Sequence, residues 1–161
     1  MSLRPAVTIT VALSLAAAAA FPADRGEAKA TVAGKAVSID YGRPSLQGRD
    51  MLGQAKVGSP WRMGADSPTR LKTAAELRFG QGVVVPPGEY VLTATKTAPD
   101  KWQIDIKRES GDPIEVPLVS KDLPASVETF TIELTPDKDK NKGELTLKWG
   151  TVALTAPFTA R

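Results

Sequence analysis

The sequence predicts an all-β, single-domain protein, an antiparallel β-sandwich or jelly-roll-like fold with one long, packed Gly/Pro-rich loop region. Three observations predict it. Apolar residues alternate with polar ones at a period of two, Pro, Gly, Asp and Asn punctuate those runs, and no amphipathic helix longer than about two turns is convincing.

The N-terminus is set apart from the fold. Met1 to Pro5 carry one positive charge, Arg4, and the stretch from Ala6 to Ala20 is uncharged and mainly apolar. A basic start, a short apolar run and small residues at its end (Ala18-Ala19-Ala20) have the form of a secretory signal peptide. The run is shorter than the roughly 20 residues that span a bilayer. The expected organisation is a signal peptide over residues 1–20, a flexible lead-in over 21–35 and a β-sandwich domain over 36–161. The expected destination is periplasmic or extracellular, with no stable membrane span after cleavage.

Tyr41 to Asp66 shows no sustained alternation and holds five Gly and two Pro. A structureless stretch this long within a compact domain is usually functional or disordered. Met51, Leu52, Val57, Trp61 and Met63 supply apolar anchors, so an ordered, packed excursion is expected. Thr69 to Arg78 fits either helix or strand, and strand is favoured. Pro86-Pro87-Gly88 introduces a strand from Glu89 to Thr97, and Ala98-Pro99-Asp100 leads to one whose Trp102, Ile104 and Ile106 share a face. Ser110 to Pro113 turns the chain into Ile114 to Val119. Phe130, Ile132 and Leu134 form the clearest alternating face, Asp137 to Gly143 reads as a hairpin, and Leu145, Leu147 and Trp149 follow. Val152, Leu154, Ala156 and Phe158 complete the pattern. The count is eight or nine strands, spaced as in a sandwich or barrel.

Composition removes several kinds of function. There is no Cys, so no disulfide staples the fold and no lipidated Cys can follow the apolar run. There is no His, which excludes Ser-His-Asp and Cys-His catalysis and the usual His/Cys zinc or copper sites. Without residues 1–20 the chain has 20 basic and 18 acidic side chains, too even a balance to suggest nucleic acid as a partner. The loop Asp137 to Glu144 alternates oxygen ligands as calcium loops do. However, Lys142 occupies the place where such loops need Gly, and Lys148 stands where the bidentate Glu belongs. A solvated hairpin tip is expected, and neither a metal nor a cofactor is implied.

The excursion also carries a resemblance. Tyr41-Gly42-Arg43-Pro44-Ser45-Leu46, then Gly48-Arg49, Trp61-Arg62-Met63-Gly64-Ala65-Asp66, the Pro87 to Leu92 hairpin and Trp102 together resemble the exported bacterial family called domain of unknown function 2911. The resemblance covers about Ala36 to Phe158. It implies an exported, β-rich protein and carries over no catalytic residue. Met63 and Asp66 depart from the family pattern, which usually has Thr and Asn at those places, and Gly58-Ser59-Pro60 replaces a longer approach to the Trp.

Arg43, Arg49, Arg62 and Arg70, with Asp40, Asp50 and Asp66 close by in sequence, form the main concentration of chemically capable groups. One reading is an anion or sugar-acid pocket made by Tyr41, Arg43, Arg49, Trp61, Arg62 and Asp66, since guanidinium grips carboxylates in bidentate fashion and aromatic faces stack on sugars. The other, which is favoured, is that Arg43 and Arg62 lie buried and pin the loop through carbonyls and ion pairs, with Asp40 or Asp66 as the acidic partner. Asp40, Asp66, Glu76, Glu89 and Asp105 are candidates for two-carboxylate hydrolysis, but their spacing singles out no pair. The function expected is a non-catalytic exported binding or envelope-associated domain whose partner is a small molecule, a glycan or an envelope component. The alternatives are a small carboxylate-dependent hydrolase, including a carbohydrate-active one, and an interaction module docking through a strand edge.

Overall fold

The computed structural model describes residues 24–161, so the signal-peptide segment and residues 21–23 of the lead-in lie outside the described residues. Among the described residues, ten antiparallel strands form a continuous ladder. They are β1 (Arg25–Val32), β2 (Lys35–Gly42), β3 (Pro60–Trp61), β4 (Thr69–Thr73), β5 (Leu77–Phe79), β6 (Val84–Val85), β7 (Gly88–Ala98), β8 (Lys101–Lys107), β9 (Ile114–Pro136) and β10 (Lys142–Ala160). Their order is β1-β2-β4-β7-β8-β9-β10-β5-β6, with β3 added to the edge of β7.

The all-β prediction holds, and the sheet does not close into a barrel. It folds back on itself instead. The first part of β9 pairs with β8 (Trp102↔Leu118, Ile106↔Ile114), and the rest of β9 pairs with β10. One strand therefore serves both layers, and the inward faces of both fill one core, as two apolar sheet faces must. Phe130, Ile39, Leu92, Ile104, Leu147 and Leu154 are fully buried there. Across the layers, the Tyr41 ring meets Phe130 edge-on at 5.6 Å.

Three sequence expectations need correction. Most of the flexible lead-in is β1, which pairs with β2 along its whole length. Its alternation is faint because only Ala28 and Val32 face fully inward, and backbone bonds hold it. The two-residue turn Ala33-Gly34 has φ of 53° and 71°, the positive-φ geometry whose twist matches a tight hairpin. Second, the Ile114 and Phe130 runs are one strand, as are the Leu145 and Val152 runs. The breaks in alternation are bulges, with the register shifting on both sides of Gly150, where φ is +64°. Third, Thr69 to Arg78 is extended but belongs to two strands, β4 and β5, that sit in different layers.

Candidate functional site

The excursion leaves at the end of β2, pairs briefly as β3 with Thr95 and Ala94 of β7, and returns to the sheet at β4. Its neck is a crossing of two backbones. Gly64 sits so close to Gly42 that a methyl on Gly64 would stand 2.8 Å from the Gly42 carbonyl oxygen, and a methyl on Gly42 would overlap the Ala65 carbonyl. Only glycine fits at Gly42 for that reason, and Gly64 also has a φ of +147°. Thr69, fully buried at the start of β4, donates its hydroxyl to the Met63 carbonyl at 2.7 Å and fixes the return.

Between these ends the chain lies along the stretch of β9 that β8 leaves unpaired. Leu46 N–H donates to the Glu128 carbonyl and Phe130 N–H donates to the Pro44 carbonyl, both at 2.9 Å. The Glu128 carboxylate accepts Gln47 N–H at 2.9 Å, and the Glu128 carbonyl also accepts the Trp149 indole N–H at 3.2 Å. Leu46, Leu52 and Met63 are buried, so the excursion is ordered and packed as expected. Val57 is the exception. It is 56% exposed at the outer turn, where Gly58 N–H bonds to the Lys96 carbonyl.

The predicted site residues separate into different roles. Tyr41 is only 4% exposed, its ring is packed on Phe130 and its hydroxyl points to the Ile132 carbonyl at 3.4 Å, so it is a core residue and offers no stacking wall. Arg43 is half-buried over Gly26 and the Tyr41 ring; its backbone N–H bonds to the Asp24 carbonyl, while its buried Nε meets no hydrogen-bond partner. Arg49 is exposed and donates to the Leu46 carbonyl at 3.1 Å. Arg62 is exposed and donates to the carbonyl of Asp66, whose own φ is +62°. Asp40 pairs with Arg25 at 2.5 Å rather than with Arg43 or Arg62. Arg70 lies on the outer face of β4, opposite Asp40 of β2. The expectation that both arginines lie buried is therefore corrected for Arg62, which is exposed, and Asp40 pairs with Arg25 instead of either of them. Arg62 does meet the carbonyl half of that expectation.

Trp61 is the residue around which a site forms. Its ring stacks on Trp149 at 5.6 Å and 18°, and meets Phe130 at 5.0 Å and Trp102 at 6.4 Å edge-on. Trp149 covers one face, and the half-buried remainder lines an open groove of about 330 Å³. Met51, Leu52, Ala55, Pro60 and Trp102 provide its other apolar walls. Gln54, Lys56, Ser59 and Arg62 supply the polar groups, and no carboxylate lines it. Sequence reasoning missed Glu128, Trp102, Trp149 and Lys56 as parts of this region. Trp102 and Trp149 were legible as inward-facing, but their meeting with Trp61 depends on sheet order.

A second groove, of about 570 Å³, lies at the β9–β10 hairpin and is lined by Asp137 and Glu144 together with Arg78, Lys142, Phe79 and Phe158. Here Asp139 bonds to the Lys142 ammonium at 2.9 Å and raises its pKa above the ordinary lysine value. Among the described residues, no group of three or more acidic, His or Cys side chains is placed to hold a metal, and no helix is long and apolar enough to cross a membrane.

Fold and groove together define a small all-β domain with a tryptophan-lined surface groove built on a packed loop. A family model described as protein of unknown function (DUF2911) matches residues 23–158, from just before β1 into β10, and the chain belongs to that family. No curated protein and no solved structure matches the chain.

Proposed function

We propose that the protein is an exported, non-catalytic binding domain whose ligand site is the groove at Trp61. The observation that carries this reading is an aromatic ring braced from behind by Trp149 and Phe130 yet partly open to a groove. A concave, mostly apolar surface with a few polar groups at its rim is the usual form of a small-ligand site. Export rests on the uncharged Ala6 to Ala20 run and its small-residue end, so mass spectrometry of the envelope fraction should find a chain beginning near Phe21.

The edge-docking alternative gains less support. Beyond its pairing with β8, β9 carries exposed Val119, Lys121, Asp122 and Pro124, and the charges and the proline are of the kind that discourage strand addition. A carboxylate-dependent hydrolase is favoured by one observation, the shared lining of the hairpin groove by Asp137 and Glu144. The previously considered Asp40, Glu76 and Glu89 are each paired with a separate basic residue, and Asp105 is buried between Thr95 and Gln103.

Titration with a panel of oligosaccharides, sugar acids and aromatic acids, followed by tryptophan fluorescence, tests the site. At least one compound should change the emission of the parent protein, and Trp61→Phe with Lys56→Glu should abolish the change while retaining the parent's circular dichroism. Binding that survives in that variant and disappears in Asp137→Asn with Glu144→Gln would move the site to the hairpin groove.

A further inference from the structure

We infer that the Trp61 groove takes a small carboxylate carried on a ring, with the ring against Trp61 and the carboxylate at the rim formed by Arg62 and Lys56. This inference rests on the groove being the binding site.

The argument starts from the lining. The walls are apolar and aromatic, and both charged residues that line the groove, Lys56 and Arg62, are cationic and exposed. Asp50, the nearest acid in sequence on the Met51 side, turns its carboxylate back onto Gly53 N–H at 2.9 Å. A ligand complementary to this surface is anionic at one end and flat and apolar at the other. A guanidinium has five donors in a fork that matches a carboxylate, so the bond from Arg62 to the Asp66 carbonyl orients the side chain without exhausting it. Lys56 adds a second, adjustable charge.

The groove also disfavours the opposite ligand. Aromatic surfaces bind quaternary ammonium groups through their faces, but here Lys96 already sits over the Trp102 ring at 5.9 Å. A cationic ligand would meet the two cations of the lining, Lys56 and Arg62, and no carboxylate there. Size narrows the class further. About 330 Å³ lies at the low end of the roughly 300–1,000 Å³ typical of ligand pockets, which matches one ring with its substituents.

Calorimetric titration of the purified protein with benzoate and glucuronate, alongside their neutral counterparts benzamide and glucose, tests this. At least one acid should bind about tenfold or more tighter than its neutral counterpart, and the preference should shrink as salt is raised, since the two cations are exposed. Arg62→Gln should erase the preference while leaving the weak neutral binding in place. Benzoate exceeding glucuronate would identify an aromatic ring, and the reverse a sugar ring; either supports the inference. Equal affinity for acid and neutral counterpart, with both lost in Trp61→Phe, would overturn the inference and leave the groove as the site. Tighter binding of phenyl phosphate than of benzoate would overturn the carboxylate assignment. Failure of all four compounds to bind at millimolar concentration would overturn it as well.

Discussion

The β9–β10 ladder and the loop between β2 and β4 keep their chains in place by opposite means. In the ladder, residues opposite one another repeat the same bond pattern from Gly143↔Pro136 to Lys148↔Thr131, and alternate side chains such as Leu145, Leu147, Ile132 and Leu134 enter the core. No single bond is decisive there. The loop has no such repetition. A few contacts hold it: two backbone bonds to the edge of β9, the Glu128 carboxylate, the short β3 pairing and the Gly58 N–H bond to β7, the glycine crossing at its neck and the Thr69 hydroxyl. The lesson is that an irregular loop can be held in place when its backbone borrows strand edges, β9 beside Leu46 and β7 beside Gly58 and Trp61, while the side chains of Lys56 and Arg62 stay exposed.

The variant that damages both regions should be the most costly. Phe130 is fully buried and touches Tyr41, Trp61 and Trp149, so Phe130→Ala should lower stability by about 3–5 kcal/mol, read from urea midpoints. Gly42→Ala attacks the neck of the loop alone. Its methyl meets backbone that cannot rotate away, and about 1–3 kcal/mol should be lost with the β9–β10 ladder still folded. Glu128→Ala removes the acceptor of Gln47 N–H while keeping the backbone bonds, for about 1 kcal/mol. Arg62→Ala should be the mildest, within about 0.5 kcal/mol, because the side chain is exposed and its partner carbonyl can turn to water. A severe loss of melting temperature in Arg62→Ala would restore the arginine as the pin of the loop.

Legibility in the sequence follows the same division. Alternation exposed the inward faces of β8, β9 and β10 because strand side chains repeat every two residues. It did not reveal β1, where Ala28 and Val32 are the fully buried members of a polar run. Nor did it show that the Ile114 and Phe130 runs are one strand, because Pro124 and the polar residues around it read as a break. Within the loop, Leu52, Trp61 and Met63 announced packing, and the region of the groove was found from its composition. Its support was not, since Glu128 lies far along the chain and nothing local to Leu46 points to it. The arginines drew attention because they are the conspicuous charged residues of the segment, yet backbone bonds to β9 and β7 hold the chain beside them.

Amide hydrogen exchange at Leu46 and Phe130 tests that central claim most directly. Each N–H donates at 2.9 Å across the junction between loop and β9. If the borrowed edge fixes the loop, both amides should be protected to a degree comparable with the Thr131 and Lys148 amides, a hydrogen-bonded pair of the ladder, because opening them requires more than local fraying. Exchange of the Leu46 amide at the rate of an unprotected peptide, with the ladder amides still protected, would contradict it.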